Sequence, residues 1–85
     1  GGEEFLMLLP RTALCDGICV AEKVRAECQS SPFHQFDNLK QVYIDLTVSF
    51  GVAEAASATQ LNSAIMAADS KLYLAKEQGR NQVQG

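Results

Sequence analysis

Two adjacent carboxylates, Glu3 and Glu4, follow a pair of glycines at the start of this 85-residue sequence. Glycines let a backbone turn sharply and come close to a bound group. Carboxylate oxygens are hard ligands of the kind Mg²⁺ takes while it keeps waters and bridges to phosphates. Gly1, Gly2, Glu3 and Glu4 are therefore candidates for holding a metal-bound phosphate compound. A solvated acidic turn is the plainer reading of the same four residues. A second group lies far along the chain, where Lys76 ends a helical pattern and Arg80 follows the glycine after it. Cations at a helix C-terminus gain about 0.3–1 kcal/mol from the helix dipole alone. The functional alternative is a Lys/Arg pair on a polyphosphate, with the arginine forked onto two oxygens. Asp69 lies four residues before Tyr73 on one helix face. It is expected to be structural, fixing Tyr73 or orienting a neighbouring base.

The elements that must position these groups are read from the hydrophobic pattern. Phe5 to Leu9 is an unbroken apolar run, as expected of a strand buried on both faces. Pro10 ends it. Thr12 is placed to cap a helix, whose apolar stripe is Leu14, Ile18, Ala21, Val24 and Cys28. Asp16, Glu22, Lys23 and Arg25 fall on the wet side of that stripe. Ser30, Ser31 and Pro32 end it. A short strand over 33–36 and a turn at Asp37-Asn38 come next. From Val42 to Val52 apolar and polar residues alternate, predicting a long strand. Gly51 within it permits a bulge or a close approach. Thr59 is the expected N-cap of a second helix with a stripe of Leu61, Ala64, Ile65, Ala68, Leu72 and Ala75. Gly79 suits the left-handed position past its end, and Val83 is expected in a short edge strand. The predicted class is α+β, in layers, with helices flanking a mostly antiparallel central sheet. Phe5–Leu9 is expected beside Leu46–Val52.

Composition narrows the functional classes. Seven basic and ten acidic residues give a net charge of −3, against the basic stripe of a DNA- or RNA-polymer binder. The 47% hydrophobic content argues against disorder. The length allows one small domain. Cys15, Cys19 and Cys28 are an odd count at low density, unlike a secreted disulfide scaffold. Cys15 and Cys19 share a helical face and could begin a zinc site, but structural zinc needs four ligands and His34 is the sole histidine. Reduced thiols packed as small apolar side chains are expected, which fits a cytoplasmic protein.

Three motifs occur in order: G-G-E-E-F at Gly1 to Phe5, L-T-V-S-F-G-V-A at Leu46 to Ala53, and A-D-x-x-L-Y-x-A-K-x-x-G-R-N at Ala68 to Asn81. Together they resemble the GGDEF domain of diguanylate cyclases in its GGEEF form. The resemblance implies a palm like that of nucleotide cyclases, and a reaction in which two GTP condense to cyclic di-GMP. It implies Mg²⁺, or Mn²⁺ in its place, and a homodimer with one GTP per domain. By the same resemblance Glu3 ligates the metal and Glu4 is a second acid or general base. Gly1 and Gly2 form the turn near GTP, and Lys76 and Arg80 grip its terminal phosphates.

The match covers residues 1–85 as the C-terminal half of such a domain, beginning at the signature turn. A further metal-binding aspartate, the guanine-reading residues and the product-inhibition motif would lie upstream of Gly1. The expectation is a fragment inactive by itself, which recruits a neighbouring strand, from a parent carrying an upstream regulatory domain. An N-terminal membrane anchor in that parent is compatible with this reading. The alternative is a degenerate module that senses GTP or cyclic di-GMP without catalysis.

Overall fold

The computed structural model describes residues 4–30, 33–37, 40–44 and 46–85, with 33–37 and 40–44 described by backbone alone. The first element is helix α1, Leu14–Ser30. A hairpin follows, β1 Phe33–Asp37 and β2 Lys40–Ile44, paired antiparallel with Phe33 opposite Ile44 and Asp37 opposite Lys40. Strand β3 is Phe50–Gly51, a 3₁₀ turn spans Ala58–Gln60, helix α2 is Leu61–Glu77, and β4 is Val83–Gln84.

β3 and β4 pair in parallel, Phe50 with Val83 and Gly51 with Gln84. Two backbone bonds extend the ladder, from Phe50 N to Gln82 O at 2.9 Å and from Val52 N to Gln84 O at 2.8 Å. Both helices pack on this pair. α2 lies on β3 and β4, and α1 lies against β4. Close approach is possible because glycine stands at the contacts. A Cβ built on Gly51 would lie 2.0 Å from Ala68 O and 2.3 Å from Leu72 N. The backbone of α2 therefore rests directly on β3. On the other side, a Cβ at Gly17 of α1 would lie 3.3 Å from a Val52 methyl.

The helices follow the apolar stripes. Ala21 and Ala75 are buried, at 7% and 0% exposure. Leu14, Ile18 and Cys28 of α1 and Ala64, Ile65, Ala68 and Leu72 of α2 are half-buried. Val24 and Leu61 lie farther out than their stripes imply, at 38% and 37% exposure.

The sheet differs from expectation. No single, mostly antiparallel central sheet forms among the described residues. They contain one antiparallel hairpin and, between the helices, a parallel pair. The Val42–Val52 alternation divides into β2 and β3, with no strand over 46–49. The expected turn at Asp37-Asn38 lies partly outside the described residues. Phe5–Leu9 joins no ladder, and its side chains stay open to solvent, from 88% exposure at Phe5 to 40% at Leu9. A strand exists only through its neighbour's hydrogen bonds, and no described residue supplies them. Apolar content alone could not fix the state of this run.

Both expected side-chain caps are also corrected. Thr12 Oγ1 donates to Pro10 O at 3.1 Å and closes a local turn. Thr59 Oγ1 bonds Ser57 Oγ at 2.7 Å, and α2 starts from the 3₁₀ turn at Gln60 without a side-chain cap. Short hydroxyl side chains have local partners as good as a helix end.

Candidate functional site

The site is built around the C-terminus of α2. Its last turn carries Lys76. Three residues with positive φ then follow in a row: Gly79 at 113°, Arg80 at 63° and Asn81 at 49°. Arg80 N donates to Ala75 O at 2.8 Å, the six-to-one bond of a Schellman ending. Glycine adopts this region freely, whereas an L-residue such as arginine costs about 1–2 kcal/mol there. Gln82 Nε2 donates to Gln78 O at 3.0 Å and to Arg80 O at 3.2 Å within the turn, and two further hydrogen bonds tie the segment to other elements. Asn81 N donates to Ser49 Oγ at 3.0 Å, just before β3. Asn81 Oδ1 accepts from Arg25 of α1 at 2.9 Å.

Lys76 Nζ donates to Glu4 Oε1 at 3.1 Å. This contact joins residues 72 apart in sequence. Both side chains are accessible to water, which keeps such a pair at about 0.2–1 kcal/mol. Glu4, Lys76, Arg80 and Asp69 line one open cleft of about 1500 Å³, between 4–14, α1, the β3 region and α2. Its walls combine these charged groups with apolar side chains from Phe5–Leu9, Val48, Val52 and Leu72. Such a cleft suits a ligand with a charged end and a flat or apolar end.

Gly1, Gly2 and Glu3 lie outside the described residues. Of the sequence-derived candidates, the structure brings Glu4 and Lys76 into contact and puts Arg80 on the same cleft. Asp69 and Tyr73 are both exposed, and no hydrogen bond joins them among the described residues. Asp69 instead faces the cleft, where its oxygens, like those of Glu4, are hard donors. Among the described residues no three metal-ligating groups converge. The described residues therefore do not complete a magnesium site.

Two positioning residues escaped the sequence reading. Glu54, after β3, accepts from Leu14 N at 3.3 Å. It places a carboxylate at the amino end of α1, where the dipole and the free N–H groups favour it. Its position 40 residues downstream leaves no local signal. Arg25, expected on the wet side, has a side chain only 17% exposed. Its Nε donates to both oxygens of Glu22 at 3.0 Å, and Nη2 also pairs with that carboxylate. Nη1 donates to Gln29 Oε1 at 3.0 Å and to Asn81 Oδ1 at 2.9 Å. Hydrogen bonding to Arg25 holds the Glu22 carboxyl below its ordinary value of 4.5, and the same bond raises the arginine.

The thiols also differ from expectation. Cys28 is half-buried, but Cys15 and Cys19 are exposed rather than packed, and all three are free. No helix among the described residues is long and apolar enough to cross a membrane.

The family model described as "Diguanylate cyclase, GGDEF domain" matches residues 1–82. The response regulator PleD of Caulobacter vibrioides is 37% identical over 86 residues, covering 100% of this chain and 18% of PleD. The diguanylate cyclase DgcM of Escherichia coli K12 is 37% identical over 98% of this chain and 18% of its own length. The diguanylate cyclase DgcP of Pseudomonas aeruginosa is 34% identical over 99% of this chain and 12% of its own length. The chain thus spans a small part of the curated relatives it matches. No solved structure matches it. The ordered motifs, the acidic residue drawn to the end of α2, and a family match over nearly the whole chain lead to one assignment: this chain belongs to the GGDEF-domain family of diguanylate cyclases.

Proposed function

We propose that the chain is the C-terminal half of a GGDEF domain, beginning at the signature turn, in a protein that converts two GTP into cyclic di-GMP. The observation that carries this reading is the Glu4–Lys76 contact. It joins the acidic motif to the basic end of α2, so one triphosphate can meet both. Each GTP 3′-oxygen attacks the α-phosphorus of the other GTP. The bond to pyrophosphate breaks, the hydroxyl proton leaves to a base, and two pyrophosphates depart. Glu4 is the candidate base or second acid. Lys76 and Arg80 bind the terminal phosphates as charge-assisted donors. Gly1 and Gly2 let the backbone approach the nucleotide. Glu3 is the candidate ligand for Mg²⁺, or Mn²⁺ in its place, which would neutralise charge on the phosphates.

The reaction needs two nucleotides face to face, so the functional unit is a pair of domains. The regulatory input belongs to an upstream domain of a cytoplasmic parent. By itself the chain is expected to be inactive, since metal geometry requires ligands held rigidly from more than one element. The test is cyclic di-GMP formation from GTP and Mg²⁺ by the full-length protein, its Glu3→Gln variant and this chain alone. Activity in the full-length protein only is the expected result. Equal turnover by the Glu3→Gln variant rejects Glu3 as a catalytic ligand, and turnover by the isolated chain rejects the half-domain reading.

A further inference from the structure

We infer that Arg25 and Asn81 form a latch that positions Arg80 for phosphate, although neither residue lines the cleft. The inference rests on the proposed role of Arg80 and adds the groups that hold it.

Arg80 sits between Gly79 and Asn81 in a run of three positive φ angles. Such a backbone persists only where its surroundings hold it. On the helix side the restraint is the Arg80 N to Ala75 O bond at 2.8 Å. On the other side Gln82 Nε2 bridges Gln78 O at 3.0 Å and Arg80 O at 3.2 Å within the turn itself, and Asn81 ties the turn to the rest of the fold, through its N–H to Ser49 and through Oδ1 to Arg25. Arg80 is thus pinned at its own backbone and at Asn81 while its side chain is left exposed on the cleft.

Arg25 is built for this task. Its Nε edge is occupied by the Glu22 carboxylate, one turn earlier on α1, which fixes the guanidinium plane. The two remaining Nη1 hydrogens then point to Gln29 and Asn81. A lysine has no such planar fork. Because Arg25 of α1 meets Asn81 in the turn that carries Arg80 past the end of α2, a change in how α1 packs on the β3–β4 pair reaches the phosphate end of the cleft through one hydrogen bond.

The experiment is steady-state kinetics of the full-length protein with GTP and Mg²⁺. The variants are Asn81→Gly, Asn81→Asp and Arg25→Met, each also made in an Arg80→Ala background. Glycine keeps the positive φ but deletes the acceptor, whereas aspartate keeps the acceptor. Asn81→Gly and Arg25→Met are expected to raise the KM for GTP about tenfold or more, the cost of one lost charge-assisted contact. Asn81→Asp should stay within about threefold of the parent. In the Arg80→Ala background Asn81→Gly and Arg25→Met should add nothing, because their effect passes through Arg80. A full additive effect in that background overturns the inference, and so does an unchanged KM for Asn81→Gly. If Arg25→Met fails to fold, the two Asn81 variants decide alone. If Arg80→Ala itself leaves KM unchanged, the phosphate role of Arg80 falls and the latch falls with it.

Discussion

Gly51→Ala tests the packing that sets α2, and with it Lys76 and Arg80, over the cleft. The added methyl would lie 2.0 Å from Ala68 O, 2.3 Å from Leu72 N and 2.9 Å from Leu72 Cα. Ordinary contact for a Cβ begins near 3.4 Å, so the helix must back away by more than about 1 Å. All three atoms are backbone, so no rotamer change relieves the overlap. Overpacking of this kind costs about 3 kcal/mol, at the upper end of its usual range. Loss of glycine's freedom in the unfolded chain returns up to about 1 kcal/mol. The net destabilisation is about 2 kcal/mol or more. One kcal/mol moves Tm by about 4–8 °C in a unit of this size and about 2–4 °C in one of 150–250 residues. A fall of at least about 4 °C is therefore expected in the full-length protein, read by calorimetry or near-ultraviolet circular dichroism. Ala68→Gly should not rescue it, since the clash is with that residue's carbonyl. An unchanged Tm in Gly51→Ala, or rescue by Ala68→Gly, would refute the reasoning.

Gly17→Ala is the matching case with the opposite outcome. Its methyl meets only a Val52 side-chain atom at 3.3 Å, and helix propensity gains about 1 kcal/mol, so Tm should hold or rise. Arg80→Ala and Lys76→Ala should each weaken GTP binding in the full-length protein by about 1.5–3 kcal/mol, read by calorimetric titration. Glu54→Ala should cost about 0.3–1 kcal/mol in a denaturant melt by removing the carboxylate from the start of α1. The Glu22 carboxyl is held below 4.5 in the fold. Its contribution is thus present above that pH and lost as pH falls through the lowered value. Glu22→Gln should flatten the stability profile in that acid window and leave its neutral-pH shape unchanged.

The parts of the fold legible in the sequence were those set by local chemistry. The stripe from Ala64 to Ala75 marks a helix because its side chains share one face every three or four residues. Gly79 marks the helix end because only glycine takes that backbone freely. Gly51 marks a close approach because a missing Cβ in an apolar strand invites a neighbour. Thr59 was misread because its hydroxyl found the local partner Ser57, whereas most other misread parts depended on partners distant in sequence. Phe5–Leu9 has strand composition, but the ladder that defines a strand is not in its own residues. Thr12 looked like a cap, yet Glu54 takes the helix end from 40 residues away. Arg25 looked like a solvated charge, because a pattern assigns sides of a helix and not the amides that meet them. In the site, Lys76 and Arg80 stood out by their place at a helix end. Ser49 and Asn81 stood inside the quoted motifs, but the bonds that tie the Arg80 turn to Ser49 and, through Asn81, to Arg25 join residues 32 and 56 apart, and no local pattern signals them.

The parallel pairing of β3 with β4 has a consequence for synthesis. Phe50 waits for Val83, 33 positions later, before its ladder can close. At about 5–20 residues per second, that interval lasts about 2–7 s on the ribosome. During it the newly made β3 presents unpaired backbone groups beside the apolar residues Val48 and Val52. An open strand edge is a template for pairing with other chains. Gln82 to Gln84 thus act as a late clasp for β3. Losing them would leave the nascent chain with a permanently open edge, and its yield of soluble protein should drop more steeply than the two residues of β4 alone would imply.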